Sequence, residues 1–200
     1  KAMIPYGRAF LDLTQSTSAA KLLEATDTYM SGPLDYSERG LAYYDIGYYA
    51  QSIADFDQVI DLEPKNAQVI LYRGMAYIGL GQHQEALEDF NLAISTVSGT
   101  LYTGNSEYFA YFYGRGLANF NLGHYEQAVD DLTAAIERFG QTDVSYSDVA
   151  EAHIIRGISH GQMGEIELTR KDLAFSKNVA QYVEFGLGLN PLISNVYYTR

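Results

Sequence analysis

Three sets of residues in this chain are of the types that chemistry uses. The first is the histidines, His83, His124, His153 and His160. Their spacing matches no metal-ligand pattern, although His153 and His160 stand seven residues apart on one helical face. The second is Ser18-Ala-Ala-Lys21, the Ser-x-x-Lys spacing in which a lysine activates a serine nucleophile. Neither Lys-Thr-Gly nor Ser-Asp-Asn follows it, so a helix cap is the plainer reading. The third is a set of four arginines, each followed by an aspartate sixteen residues later: Arg39/Asp55, Arg73/Asp89, Arg115/Asp131 and Arg156/Asp172. Arginine with aspartate performs no reaction alone, and four copies of one pair point to a repeated structural ion pair. Zero cysteines remove thiol nucleophiles, disulfides and thiolate metal sites, and suit a reducing or an oxidising compartment equally. No phosphate-binding glycine loop and no EF-hand pattern occurs. These residues give no ground for an enzyme, a metal or a cofactor.

The elements that must position the arginines come from an internal repeat. Four segments align on Arg-Gly, at Gly40, Gly74, Gly116 and Gly157. Seven residues beyond each lies a second glycine, at Gly47, Gly81, Gly123 and Gly164, where glycine suits the left-handed stop of a helix. A small residue follows five positions later (Ser52, Ala86, Ala128, Thr169), and a large apolar one four beyond that (Phe56, Phe90, Leu132, Leu173). The unit is helix, tight turn, helix. Each arginine and its aspartate stand eight residues on either side of the turn glycine. Residues equidistant from the turn of an antiparallel pair lie at the same height, so guanidinium and carboxylate can meet, as a clip within or between units.

These residues resemble the tetratricopeptide repeat, a pattern about 34 residues long. Tyr36, Gly40, Tyr43, Ser52, Phe56 and Pro64 fill it in the first unit, and Gly74, Tyr77, Ala86, Phe90 and Ala93 in the second. The third and fourth units follow after steps of 42 and 41 residues, which places insertions at Ser95–Tyr108 and Phe139–Asp148. In the fourth unit His153, His160 and Thr169 replace the usual residues, and the two histidines, at aromatic packing positions, are expected to be satisfied core residues. The resemblance implies an all-α, right-handed solenoid. Its expected divisions are an N-terminal segment (1–32) with a capping helix at 18–31, units at 33–66, 67–108, 109–149 and 150–183, and an apolar tail (184–200) that should dock somewhere.

The two helices of a unit differ in pattern. Residues 84–94 are amphipathic, with Ala86, Leu87, Phe90, Ala93 and Ile94 on one side and Glu85, Glu88 and Asn91 on the other. Residues 67–80 and 108–122 are apolar nearly all round and must be covered on more than one face. The resemblance implies that the first helices line a concave surface. Carried over position by position, its lining is Leu34, Leu41 and Tyr44, then Leu71, Met75 and Ile78, then Tyr113, Leu117 and Phe120, then Ile154 and Ile158. A patch of that kind marks a ligand site for a peptide or protein segment. The alternative is a structural module whose groove is closed by its own terminal segment or by a second copy, as in a homodimer. Chaperone-binding members of the family grip a terminal carboxylate with Lys, Asn and Arg. Here those positions hold Ser37, Leu41, Tyr72, Ala110 and Gly114, so such a tail is not the expected ligand.

Charge excludes other partners. The net charge is −12, from 25 acidic against 13 basic residues with no basic cluster, which repels nucleic acid and anionic membrane surfaces. No apolar run reaches the roughly 20 residues of a spanning helix, so direct membrane insertion is not expected. A chain that opens at Lys1 reads as trimmed, and an upstream segment could have carried an export signal or lipid anchor. Eighteen tyrosines beside five lysines lean toward an exported bacterial protein over a cytoplasmic one.

Overall fold

The computed structural model describes residues 32–97, 106–137 and 146–183, which form eight α-helices and no strand. They are α1 (Pro33–Asp45), α2 (Tyr49–Leu62), α3 (Ala67–Gly79), α4 (His83–Val97), α5 (Ser106–Asn121), α6 (Tyr125–Glu137), α7 (Tyr146–Gln162) and α8 (Ile166–Val183). The capping helix expected at 18–31 and the tail at 184–200 lie outside the described residues.

Each helix pair is closed by the same turn. Gly47, Gly81, Gly123 and Gly164 have φ of 75° to 81°, the left-handed region that a side chain disfavours. In the first turn the Tyr48 amide donates to the Tyr43 carbonyl at 2.9 Å and the Gly47 amide to Tyr44 at 3.0 Å, which satisfies carbonyls that the helix end would orphan. The same two bonds recur at Gln82, His124 and Glu165. The glycine of each Arg-Gly serves packing instead. A Cβ on Gly40 would fall 2.7 Å from the Phe56 ring, and one on Gly116 would fall 2.9 Å from Leu132. The two helices of a pair therefore touch backbone to side chain.

Successive pairs stack. Each odd-numbered helix packs on the even-numbered helices before and after it, and α1, α3, α5 and α7 also touch in succession. The even helices make no comparable contact with one another among the described residues. Close spacing of the odd set and wider spacing of the even set bend the stack, with the odd helices on the inner face. The core lies between the layers, around Phe56, Phe90, Phe109, Tyr111, Tyr113 and Leu132, each at most 2% exposed.

The helices reach into the segments in which the insertions were expected. Helix α4 takes in Ser95–Val97, α5 begins at Ser106, and α7 begins at Tyr146, ahead of the unit starts expected at 109 and 150. The inner helices thus grow from 13 residues in α1 and α3 to 16 in α5 and 17 in α7. Aromatic and apolar burial supports the added turn, through Tyr108 stacked on Phe112 at 4.4 Å and fully buried Val149, and Asp148 in the first turn of α7 favours the helix dipole. Residues 98–105 and 138–145 lie outside the described residues.

The stacking surface changes character at α8. Helices α2, α4 and α6 place Ile60, Ile94 and Ile136 against the core, and Leu87 of α4, seven residues before Ile94, joins them. At these two positions α8 carries Arg170 and Lys177, both exposed.

Candidate functional site

Two arrangements gather the residues that the sequence singles out. One is a ladder of arginines. Arg39 donates from Nε to Asp55 Oδ2 at 2.8 Å and from Nη2 to Oδ1 at 2.6 Å. Arg73 holds Asp89 with the same two distances. Arg115 meets Asp131 at 2.9 Å and 2.6 Å, and Arg156 meets Asp172 at 2.9 Å and 2.5 Å. The planar fork of arginine matches both carboxylate oxygens at once, and each aspartate is at most 5% exposed. The third guanidinium nitrogen crosses to the preceding pair. Arg73 Nη1 donates to Asp57 at 2.7 Å, Arg115 Nη1 to Asn91 at 3.2 Å, and Arg156 Nη1 to Thr133 at 3.1 Å. The clip is thus both internal and inter-repeat. Sequence reasoning missed Asp57, Asn91 and Thr133, although each stands two residues after an aspartate of the ladder. The hydrogen bond to Asp89 keeps Arg73 charged, above its already high ordinary pKa, against the cost of burial.

The fourth pair elaborates the ladder. His153 Nδ1 lies 2.8 Å from Asp172 Oδ1, and its ring stacks on Phe175 at 4.0 Å. His160 is 8% exposed and its Nδ1 pairs with Glu165. Burial alone would raise the carboxyl of Asp172, but hydrogen bonds from His153 and Arg156 and their charges outweigh it and hold the pKa at about 2. Asp172 is committed to the Arg156 fork, so both histidines serve packing and pairing. Among the described residues no group of three His, Asp or Glu side chains could hold a metal ion.

The second arrangement is the inner face. Of the positions expected to line an open groove, Leu71, Met75, Tyr113 and Ile154 are instead buried, at 2% to 6% exposure. The inner helices approach one another closely enough to cover them. Leu34 is 69% exposed, and Leu41, Tyr44, Ile78, Leu117, Phe120 and Ile158 are half-buried. What remains accessible is a narrower apolar row than the sequence implied. Aromatic rings brace it: Tyr44 meets Tyr49 edge-on at 5.6 Å and Tyr72 at 6.2 Å, while Phe120 leans on Tyr125 at 6.1 Å. Tyr49 in turn lies over Gly79, where a Cβ would come within 2.5 Å of its ring. The positions where a carboxylate clamp would sit differ in role here. Gly114 admits the Phe90 ring, which a Cβ would approach to 2.5 Å, and Tyr72 stacks on Phe56 at 6.3 Å. Space that a clamp would give to Asn or Arg holds the joint between pairs.

Comparison with known proteins agrees with this geometry. No curated protein matches the chain significantly in sequence. Among solved structures, MamA (residues 41 to the end) from Desulfovibrio magneticus RS-1 is 14% identical, with 84% of this chain and 86% of that one covered and a TM-score of 0.65. A crystal structure of MamA protein is 21% identical over 74% of this chain and 73% of that one, with a TM-score of 0.61. BtubC (BKLC) from P. vanneervenii is 14% identical over 88% of this chain and 77% of that one, with a TM-score of 0.69. Likeness at these identities speaks of the fold alone. The tetratricopeptide repeat pattern itself matches residues 37–99 and again 109–141, the span of α1 to α6, and α7 with α8 repeats the same turn and clip. With the pattern found twice, in the register of the helix pairs, the chain belongs to the tetratricopeptide repeat family.

Proposed function

We propose that this chain is a protein-interaction scaffold whose inner face holds a peptide, or a segment of another protein, by apolar and aromatic contact. The observation that carries the reading is the accessible row of Leu41, Ile78, Leu117, Phe120 and Ile158 on adjoining inner helices. The even helices place Glu85, Glu88, Glu126 and Asp130 outward beside exposed Leu62, Leu92, Ile166 and Leu168, so the inner row is singled out by its continuity over adjoining helices and not by exposure alone. The ionisable clusters serve the ladder, which supports a binding role over a catalytic one.

The test is selection of binders from a random peptide library, followed by affinity measurement on variants. Asn121→Trp fills space beside the row without entering the core, since Asn121 is exposed and its amide bonds only the Leu117 carbonyl of its own helix. It should weaken the selected peptides at least tenfold, as should Phe120→Ala. Binders indifferent to both variants would move the working surface elsewhere. Binding that appears only when residues 184–200 are removed, or only in a monomer isolated from a dimer, would favour a face closed by the chain itself or by a second copy.

A further inference from the structure

The joints between helix pairs are not alike. In α3 to α7 the buried apolar side chains form one continuous cluster, which includes Met75, Phe90, Tyr113, Leu132 and Ile155 and runs across both later joints. The cluster at the joint of α2 with α3 stands apart from it and is smaller, built on Phe56, Val59 and Val69 with half-buried residues around them. From α1 and α2, half-buried Tyr44 and Ile60 are the side chains that reach the larger cluster among the described residues. Separating the first pair from the second therefore breaks a small apolar contact, whereas separating a later pair cuts through the main core.

The polar links differ at the same place. Arg73 reaches back to charged Asp57 at 2.7 Å, and the side chain of Asp57 is 46% exposed. The corresponding links of Arg115 and Arg156 go to neutral Asn91 and Thr133. Salt weakens an ion pair open to water, and affects a neutral hydrogen bond far less.

We infer that the first helix pair opens from the rest as a unit, at the joint of α2 with α3, and that salt eases the opening. An array with equal joints would fray from both ends alike. Here the last joint lies on the main core and is linked through Thr133, so it shares neither weakness. Leu41 stands on α1, and opening carries that end of the accessible row away from Ile78. The inference holds whatever the row binds.

Hydrogen exchange of the intact chain, read by mass spectrometry on peptic fragments, follows the opening of each helix. In low salt the most protected amides of α1 and α2 should exchange at least tenfold faster than those of α3, α5 and α7, and the gap should widen several-fold as salt rises. If α7 opens as readily as α1 and α2, the array frays from both ends and the inference falls. Asp57→Asn keeps an acceptor for Arg73 without the charge, so it should speed exchange in α1 and α2 in low salt and flatten the response to added salt. A response that persists in this variant would be general screening of an acidic chain, and would overturn the role given to the ion pair. Val69→Ala empties part of the small cluster and should speed exchange in α1 and α2 several-fold, leaving α5 and α7 as they were. Equal acceleration in every helix would show a single cooperative unit and overturn the inference.

Discussion

The guanidinium of Arg73 and the carboxylate of Asp57 meet at 2.7 Å across the boundary between the first and second helix pairs, while the other edge of that guanidinium holds Asp89. One side chain therefore fastens its own pair and joins it to the one before. The two edges differ in burial, because the side chain of Asp57 is 46% exposed and that of Asp89 is 6% exposed.

That difference sets the first prediction. Removing Asp57 leaves Arg73 paired and costs what a half-exposed ion pair is worth, about 0.5 to 1 kcal/mol. Removing Asp89 leaves the buried edge of that guanidinium unpaired, with only half-exposed Asp57 to hold it, and should cost about 3 kcal/mol. Urea unfolding of Asp57→Ala and Asp89→Ala, followed by circular dichroism, measures both, and equal losses would contradict the unequal roles of the two edges.

The joint between the second and third pairs gives another. Phe90 occupies the space that a Cβ on Gly114 would need, at 2.5 Å, so Gly114→Ala overpacks the joint and should cost about 1 to 3 kcal/mol despite the better helix propensity of alanine. Adding Phe90→Leu should recover part of the loss. A double variant less stable than the sum of the two singles would show that the ring and the missing Cβ are not in competition.

Acid should loosen the fourth pair. The carboxyl of Asp172 falls from an ordinary 3.8 to about 2 in the folded chain, so its ionised form favours folding. That contribution, roughly 2 kcal/mol, is complete above the unfolded value and is lost as pH falls through 3.8 toward 2. Between pH 5 and pH 2.5 the wild type should therefore lose more stability than Asp172→Asn, which starts lower and cannot titrate at this position. Parallel losses in denaturant midpoint would remove Asp172 from the account.

Much of this architecture was legible without coordinates. Gly47, Gly81, Gly123 and Gly164 announce their turns because few residues besides glycine sit comfortably at a φ near 80°. Arg39 and Asp55 could be paired on paper because mirrored positions about a tight turn must lie at one height. The partners across repeats were harder to find. Asp57, Asn91 and Thr133 share only the capacity to accept a hydrogen bond, so no single residue type repeats to betray them. The inner face was over-read for a related reason. The pattern shows which residues of α3, α5 and α7 point inward, but not that neighbouring helices come close enough to bury Leu71, Met75, Tyr113 and Ile154.

By itself, then, the sequence determined the helix pairs, their turns and the arginine that clips each one, all relationships between residues close along the chain and held in local register. The tertiary structure decided how the pairs stack, and with it which inner side chains are covered and which remain in water. Stacking depends on how side chains of different repeats share one volume, as when Phe90 lodges against Gly114 but Phe56 stacks on Tyr72. Periodicity within a helix carries no measure of that shared volume.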